Sequence, residues 1–375
     1  MKSVPGQPRI EVNLALFQRR CLIFAAEVIY FASKLLKRII AGCLIRSTAE
    51  TASAVTVEIM SGVTARELLR RGGIGLVLLL LCLVTASTSR YFLTWDNIRD
   101  ILKETSVNTI IAVGMTFVIV TAGIDLSVGS VLALSSVILG WAVITRGIPT
   151  PVSIALCLLT GTACGLTNGS VVVRWSVPSF IVTLGMMFAA RGLTLLITHS
   201  QRVSTFPGFF QMMGTGEVPF IHLPMPALIA IVTVVAGHII LTRTTFGRYA
   251  LAVGSSEEAA RLSGLNVKLI KLIVFAGCGF ATALAGLVNT SRLDAAIPTS
   301  GAGFELEAIA AVIIGGTSLM GGKGTVIGTF FGALIMGVIR NGLNLHDTPD
   351  HIRMIVIGAV VVLAVVMDFY RRQVK

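Results

Sequence analysis

The sequence predicts an all-α polytopic membrane protein of about ten transmembrane helices, arranged as an inverted 5+5 repeat. Three observations lead there. First, the 375 residues are 54% hydrophobic and only 13% charged, with mean hydropathy +0.88, whereas soluble domains carry about 25% charged residues. Second, ten apolar segments follow Gly72, each near the length of about 20 residues that a bilayer crossing needs. Third, a glycine-led acidic turn occurs twice, half a domain apart.

The segments are 72–88, 107–122, 128–145, 151–173, 177–198, 225–241, 270–291, 305–320, 325–343 and 352–368. The second and eighth are short and broken by small residues, which makes them candidates for partly re-entrant elements. Lys and Arg orient the set, because they concentrate in cytoplasmic loops. Arg66, Arg70 and Arg71 precede the first span, and Arg371, Arg372 and Lys375 follow the last. Both ends are therefore expected in the cytoplasm, which an even span count satisfies. The basic loop 242–269 falls on the same side, and NLHDTPDH (344–351), which has no Lys or Arg, falls outside. One loop conflicts: 89–106 holds Arg90, Arg99 and Lys103 but is placed outside.

The net charge of +12 is thus a loop property and does not point to nucleic acid. Residues 60–375 are read as the transmembrane domain. Residues 1–59 are read as an extension, either an amphipathic surface segment or a stretch upstream of a natural start at Met60. The six cysteines form no CxxC pair and the five histidines no HExxH motif. The cysteines are read as small hydrophobes, and no metal site is visible.

The repeat pairs GIDLSVGS (123–130) with GFELEAIA (303–310). An odd number of spans lies between them, so the second copy is inserted upside down, the mark of inverted-topology repeats around broken helices. An acid inside the bilayer costs about 2.5–3.5 kcal/mol, so Asp125 requires protein or water around it. Its position just before 128–145 suits capping of free N–H groups. Gly123 and Gly129 permit a break or a close helix approach. Substrate contact and gating remain alternatives for Asp125. Of the other polar residues, Arg340 is expected to snorkel from a span end. Arg191 is expected to snorkel or to pair with Asp125 or Glu305. For Phe180, Phe188 and Asn289 the reading from the residues alone is helix packing or lipid contact.

In loop 242–269, Ser255 or Ser256 can cap a short helix opening EEAARL. Glu257 and Glu258 suit its first turn, and Gly264 can end it. The phosphate-loop pattern G-x4-G-K-[ST] fails in GTSLMGGKG (316–324): Thr317 stands where glycine is required, and Gly324 follows Lys323. Those glycines are read as a tight turn.

GIDLSVGSVLAL (123–134), FGRYALAVGSSEEAARLSGLNV (246–267) and GFELEAIAAVIIGGTSLMGGKGTVIGTFFGALIMGVIRNGLNL (303–345) resemble the ribose-type permease subunits of bacterial ATP-binding-cassette sugar importers, within the branched-chain amino acid/ribose permease superfamily. The resemblance runs from about residue 72 to the end. It implies a multi-pass inner-membrane subunit that works with a second permease subunit, identical or related. It also implies a cytoplasmic ATPase that uses the ATP, a periplasmic sugar-binding protein, and no cofactor or enzyme activity on this chain. Gly254, Glu257, Glu258, Ala259, Ala260, Arg261 and Gly264 are assigned by the match to ATPase docking. Asp125, Glu305 and Glu307 match acidic positions of the family and join Phe180, Phe188 and Asn289 as translocation-path candidates. The rival reading is an ion-coupled secondary transporter with Asp125, Glu305 and Arg191 as its relay.

Overall fold

The computed structural model describes residues 65–219 and 222–373. The chain divides into two units, Met1–Arg71 and Gly72–Lys375. The expected 1–59 extension lies outside the described residues. Thirteen helices are described: α1 Ala65–Thr88, α2 Trp95–Val120, α3 Val128–Gly140 with a π-helical turn Trp141–Thr145, α4 Thr150–Trp175, α5 Ser179–Thr198, α6 Gly208–Thr215, α7 Met225–Arg243, α8 Thr245–Ser255, α9 Glu257–Leu262, α10 Val267–Leu293, α11 Phe304–Ile314, α12 Val326–Leu345 and α13 Asp350–Gln373. Among the described residues the strands form only two short antiparallel pairs. Val203–Ser204 (β1) pairs with Ala295–Ala296 (β4), and Glu217–Val218 (β2) with Leu223–Pro224 (β3).

Eight of these helices are long and apolar enough to cross a membrane. The difference from ten lies in α1, whose apolar part is Gly73–Thr88, and α11, which stops at Ile314. The eighth predicted segment is thus an 11-residue helix followed by a glycine-rich turn. The second is not short: 107–122 is the end of a 26-residue helix that begins at Trp95. Its first turns escaped the apolar window because they carry Asp96, Arg99, Asp100, Lys103 and Glu104. Most of the conflicting loop 89–106 is therefore helix. Arg99 pairs with Asp96 and with Glu217, and Lys103 faces Asp100.

Helices α2, α3 and α10 are the most enclosed of the long helices, and α10 packs on both α2 and α3. Polypeptide backbones approach closely where side chains are small, since lipid offers no hydrophobic drive for helices to associate. The stripe Gly161, Gly165, Gly169 of α4 provides such a contact. A Cβ at Gly161 would sit 2.6 Å from Ala283 Cβ on α10, and one at Gly165 would overlap the Phe275 carbonyl. Large apolar side chains on α1, α5, α7 and α13, such as Leu83, Leu196, Val232 and Val362, point outward. That is the expected surface where the solvent is hydrocarbon.

Candidate functional site

Two breaks organise the interior. The first follows α2. Ala122 takes the left-handed conformation at φ 59°, and Gly123 N–H donates to the Val118 carbonyl at 2.9 Å, closing the helix with a Schellman-type bond. The chain then runs irregularly to α3. Irregular backbone at membrane depth survives only when protein satisfies it, and α5 does so. Ile124 N–H donates to Ser179 Oγ at 2.9 Å, Leu126 N–H to Thr183 Oγ1 at 3.1 Å, and Thr183 Oγ1 donates to the Ile124 carbonyl at 3.2 Å.

Asp125 completes this break. It is 2% exposed. Its Oδ1 accepts from Ser127 N–H at 2.9 Å and from Ser127 Oγ at 2.6 Å, and Asn168 Nδ2 donates to that Ser127 Oγ at 3.0 Å. Glu305, its counterpart in the repeat, likewise serves a helix start: its Oε1 accepts from Gly303 N–H at 3.2 Å. The two repeat copies meet. A Cβ at Gly129 would overlap the Gly301 carbonyl oxygen and lie 2.6 Å from Glu305 Oε2. Only glycine lets α3 touch the segment that leads into α11.

The second break is the stretch 294–303 between α10 and α11, and a polar network gathers beside it. Glu307, buried on α11, takes Arg340 NH2 of α12 at 2.7 Å, and Arg340 NH1 lies 3.5 Å from Glu104 of α2. The Arg340 guanidinium also sits over the Phe304 ring, 5.6 Å from its centre. Arg340 therefore turns inward instead of snorkelling, because two carboxylates and a ring face await it there. Arg191 pairs with neither predicted acid by a direct ion pair. Its NH1 donates to the carbonyls of Pro298 at 2.5 Å and Ser300 at 3.0 Å, tying α5 to the same segment. Asn289 donates to Ser300 Oγ at 2.9 Å and accepts from Arg292. Asp125, Glu305, Glu307 and Asn289 thus lie along the two breaks. Phe180 and Phe188 expose their rings on α5, Phe180 next to the Ser179 that holds the first break.

The segment between α7 and α10 forms a surface. Thr244 Oγ1 accepts from Gly247 N–H to start α8, and Ser256, not Ser255, caps α9 by accepting from Ala259 N–H at 3.2 Å. Gly264 follows at φ +82°. The predicted docking residues divide by role. Ala260 is buried in the core. A Cβ at Gly254 would overlap the Val120 carbonyl and sit 2.6 Å from Gly322 N. Glu257 is held back by Lys271 Nζ at 2.5 Å. Glu258, Ala259, Arg261 and Gly264 are exposed.

Leu262 was not singled out from the sequence, yet at 80% exposure it is the outermost large apolar side chain on α9. Nothing in a six-residue helix fixes in advance which face is free. Under α9 lies a cavity of about 390 Å³ bounded by Thr121–Gly123, Ser176–Ser179, Arg261 and Lys268. The 318–324 turn closes on the same region, with Gly322 N–H donating to the Val120 carbonyl at 2.9 Å.

A bundle of apolar helices with two broken elements and a capped surface helix between spans describes a multi-pass transport protein without a visible catalytic constellation among the described residues. Comparison places it. The family described as "branched-chain amino acid transport system / permease component" matches residues 97–365, and the chain belongs to it. The chain is 46% identical over 301 residues to a ribose import permease protein of Haemophilus influenzae, covering 79% of this chain and 92% of that one. It is 44% identical over 299 residues to the ribose import permease protein of Escherichia coli, covering 78% and 92%. It is 35% identical over 354 residues to the xylose transport system permease protein of Escherichia coli, covering 79% and 90%. No solved structure matches.

Proposed function

We propose that the chain is the inner-membrane permease subunit of an ATP-driven importer carrying a monosaccharide, ribose or a related pentose, into the cytoplasm. The observation that carries this reading is the seating of α9. Glu258, Arg261 and Leu262 face outward, while Gly254 and Ala260 anchor the segment on the end of α2 and in the core. A partner that grips the outer face therefore moves the inner one. The names of the relatives, ribose and xylose permeases, support a pentose.

In this reading α9 docks on a cytoplasmic ATPase, which supplies the ATP hydrolysis for which this chain carries no phosphate-loop motif. Nucleotide-driven closure of the ATPase pair displaces α9. Gly254 and Gly322 pass the displacement to the break at 121–127 and, through the 315–325 turn and α11, to the break at 294–303, and access switches between the two membrane faces. A periplasmic binding protein delivers the sugar. A second permease subunit completes the pathway, with Phe180 and Phe188 of α5 available to it or to a sugar passing between the two.

The positive-inside rule puts the Arg243, Arg248 and Lys268 loop in the cytoplasm. Gly73 and Ile74 lie beside Ile313, Ile314, Met367 and Asp368, near the turn that contacts Gly254. This supports cytoplasmic placement of both ends of the 72–373 helices, and ten traverses in which α11 is a half-span. The packing order supports the inverted repeat. α3 lies on α4 and α5 as α11 lies on α12 and α13, and α10 lies on α3 and α4 as α2 lies on α11 and α12. ATP-dependent pentose uptake by the reconstituted assembly tests the reading.

A further inference from the structure

A second cavity, of about 530 Å³, opens at the face opposite α9, between the N-terminal half of α2, the end of α6 and the C-terminal ends of α10 and α12. Its volume falls in the range of about 300–1,000 Å³ usual for small-molecule sites. The walls are polar for an element inside a membrane bundle: Asn97, Asp100, Lys103 and Glu104 from α2, Arg292 from α10, and Asn341 and Asn344 from α12. Two carboxylates face two cations. The lining is therefore close to electroneutral while rich in both donors and acceptors. This suits an uncharged polyhydroxyl solute better than an anion or a cation.

Two further observations separate this cavity from an ordinary structural ion cluster. Two of the lining residues also carry a buried atom without a hydrogen-bond partner, Arg292 Nε and Asn344 Oδ1, although buried polar groups in native proteins are as a rule hydrogen-bonded. By contrast, Asn97 and Asn341 satisfy each other reciprocally at 3.1 and 2.8 Å, and so form a fixed wall. The floor also leads inward. Glu104 reaches Arg340, which reaches Glu307 on α11, and Arg292 reaches Asn289 and through it Ser300. A solute in the cavity stands one layer above the second break.

We infer that this cavity is a sugar-hydroxyl subsite on the entry side of the pathway, with Asn344, Arg292 and Lys103 as the groups that bind hydroxyls. The inference rests on the reading of the chain as a sugar permease. The test uses the full assembly of permease, ATPase and binding protein in proteoliposomes. Labelled D-ribose and D-xylose serve as probes, and sugar delivered is measured per ATP hydrolysed. Asn344→Leu and Lys103→Met both change residues that line the cavity, so failure of one to fold leaves the other. Asn344→Gln is the conservative rescue.

The expected result is a fall of fivefold or more in sugar per ATP for N344L and K103M, with stimulation of the ATPase by loaded binding protein kept and N344Q near wild type. An unchanged ratio in both variants would overturn the subsite. So would loss of the stimulation itself, which would make the cavity a docking face for the binding protein. If the wild-type assembly moves neither pentose, the function reading has failed, and the subsite falls with it.

Discussion

Arg340 of α12 and Glu307 of α11 form an ion pair at 2.7 Å with the carboxylate side chain only 8% exposed. This pair joins a half-length helix to a full one beside the second break. Removing one member of a buried pair strands the other and costs about 3–5 kcal/mol, whereas replacing both with apolar residues is often neutral. Arg340→Met is expected to lower the unfolding temperature of the purified permease sharply and to abolish uptake. Glu307→Leu added to R340M is expected to recover much of the thermal stability. Thermal unfolding of the three proteins in detergent checks this. Equal stability of R340M and wild type would show that the pair does not hold α11.

Gly129 and Gly301 set the distance between the repeat copies. Gly129→Ala places a methyl group on the Gly301 carbonyl and the Glu305 carboxylate and is expected to reduce both folded yield and transport. Gly277→Ala is its control, because a Cβ there meets nothing within 4 Å. It is expected to be neutral or to stabilise α10 by up to about 1 kcal/mol through helix propensity. Fluorescence-detected size-exclusion profiles of the two variants check the contrast.

Asp125 separates capping from ion coupling. Its Oδ1 accepts both observed bonds, and an amide oxygen can accept the same two. Asp125→Asn is expected to keep ATP-driven uptake within a few-fold of wild type. Asp125→Ala is expected to lose about 1–3 kcal/mol, the cost of leaving buried donors unsatisfied. Uptake assays and thermal unfolding read both. Complete loss of transport in a folded D125N permease would instead make the charge itself part of the mechanism.

Much of this arrangement was legible in the chain because a bilayer demands long apolar runs, and both acidic turns stood out against them. What was not legible shares one cause: charge inside a helix whose partner lies far along the sequence. The start of α2 at Trp95 was hidden by Arg99, Asp100, Lys103 and Glu104, whose cluster is completed by Glu217 and Arg340 from distant elements. Arg191 was read against acids, but its partners are the carbonyls of Pro298 and Ser300, which no side-chain pattern announces. The close α4–α10 contact was written in Gly161, Gly165 and Gly169, a spacing that names a small-residue face but not the helix that meets it.

On the outer face of α9, Glu258→Ala with Arg261→Ala is expected to abolish transport while leaving folded permease in the membrane. Leu262→Asp, which puts a charge on the outermost apolar side chain, is expected to cut co-purification of the ATPase tenfold or more. Lys271→Met should have a small effect on stability, below about 1 kcal/mol, because the Glu257 carboxylate it pairs with is 60% exposed. Normal uptake by the E258A/R261A protein would refute docking through α9.

The most direct measurement is uptake of labelled D-ribose and D-xylose by proteoliposomes holding the permease, its ATPase and its binding protein, with each component omitted in turn. Uptake is expected to need ATP and all three components. Uptake by the permease alone, driven by an ion gradient and indifferent to ATP, would contradict the importer reading.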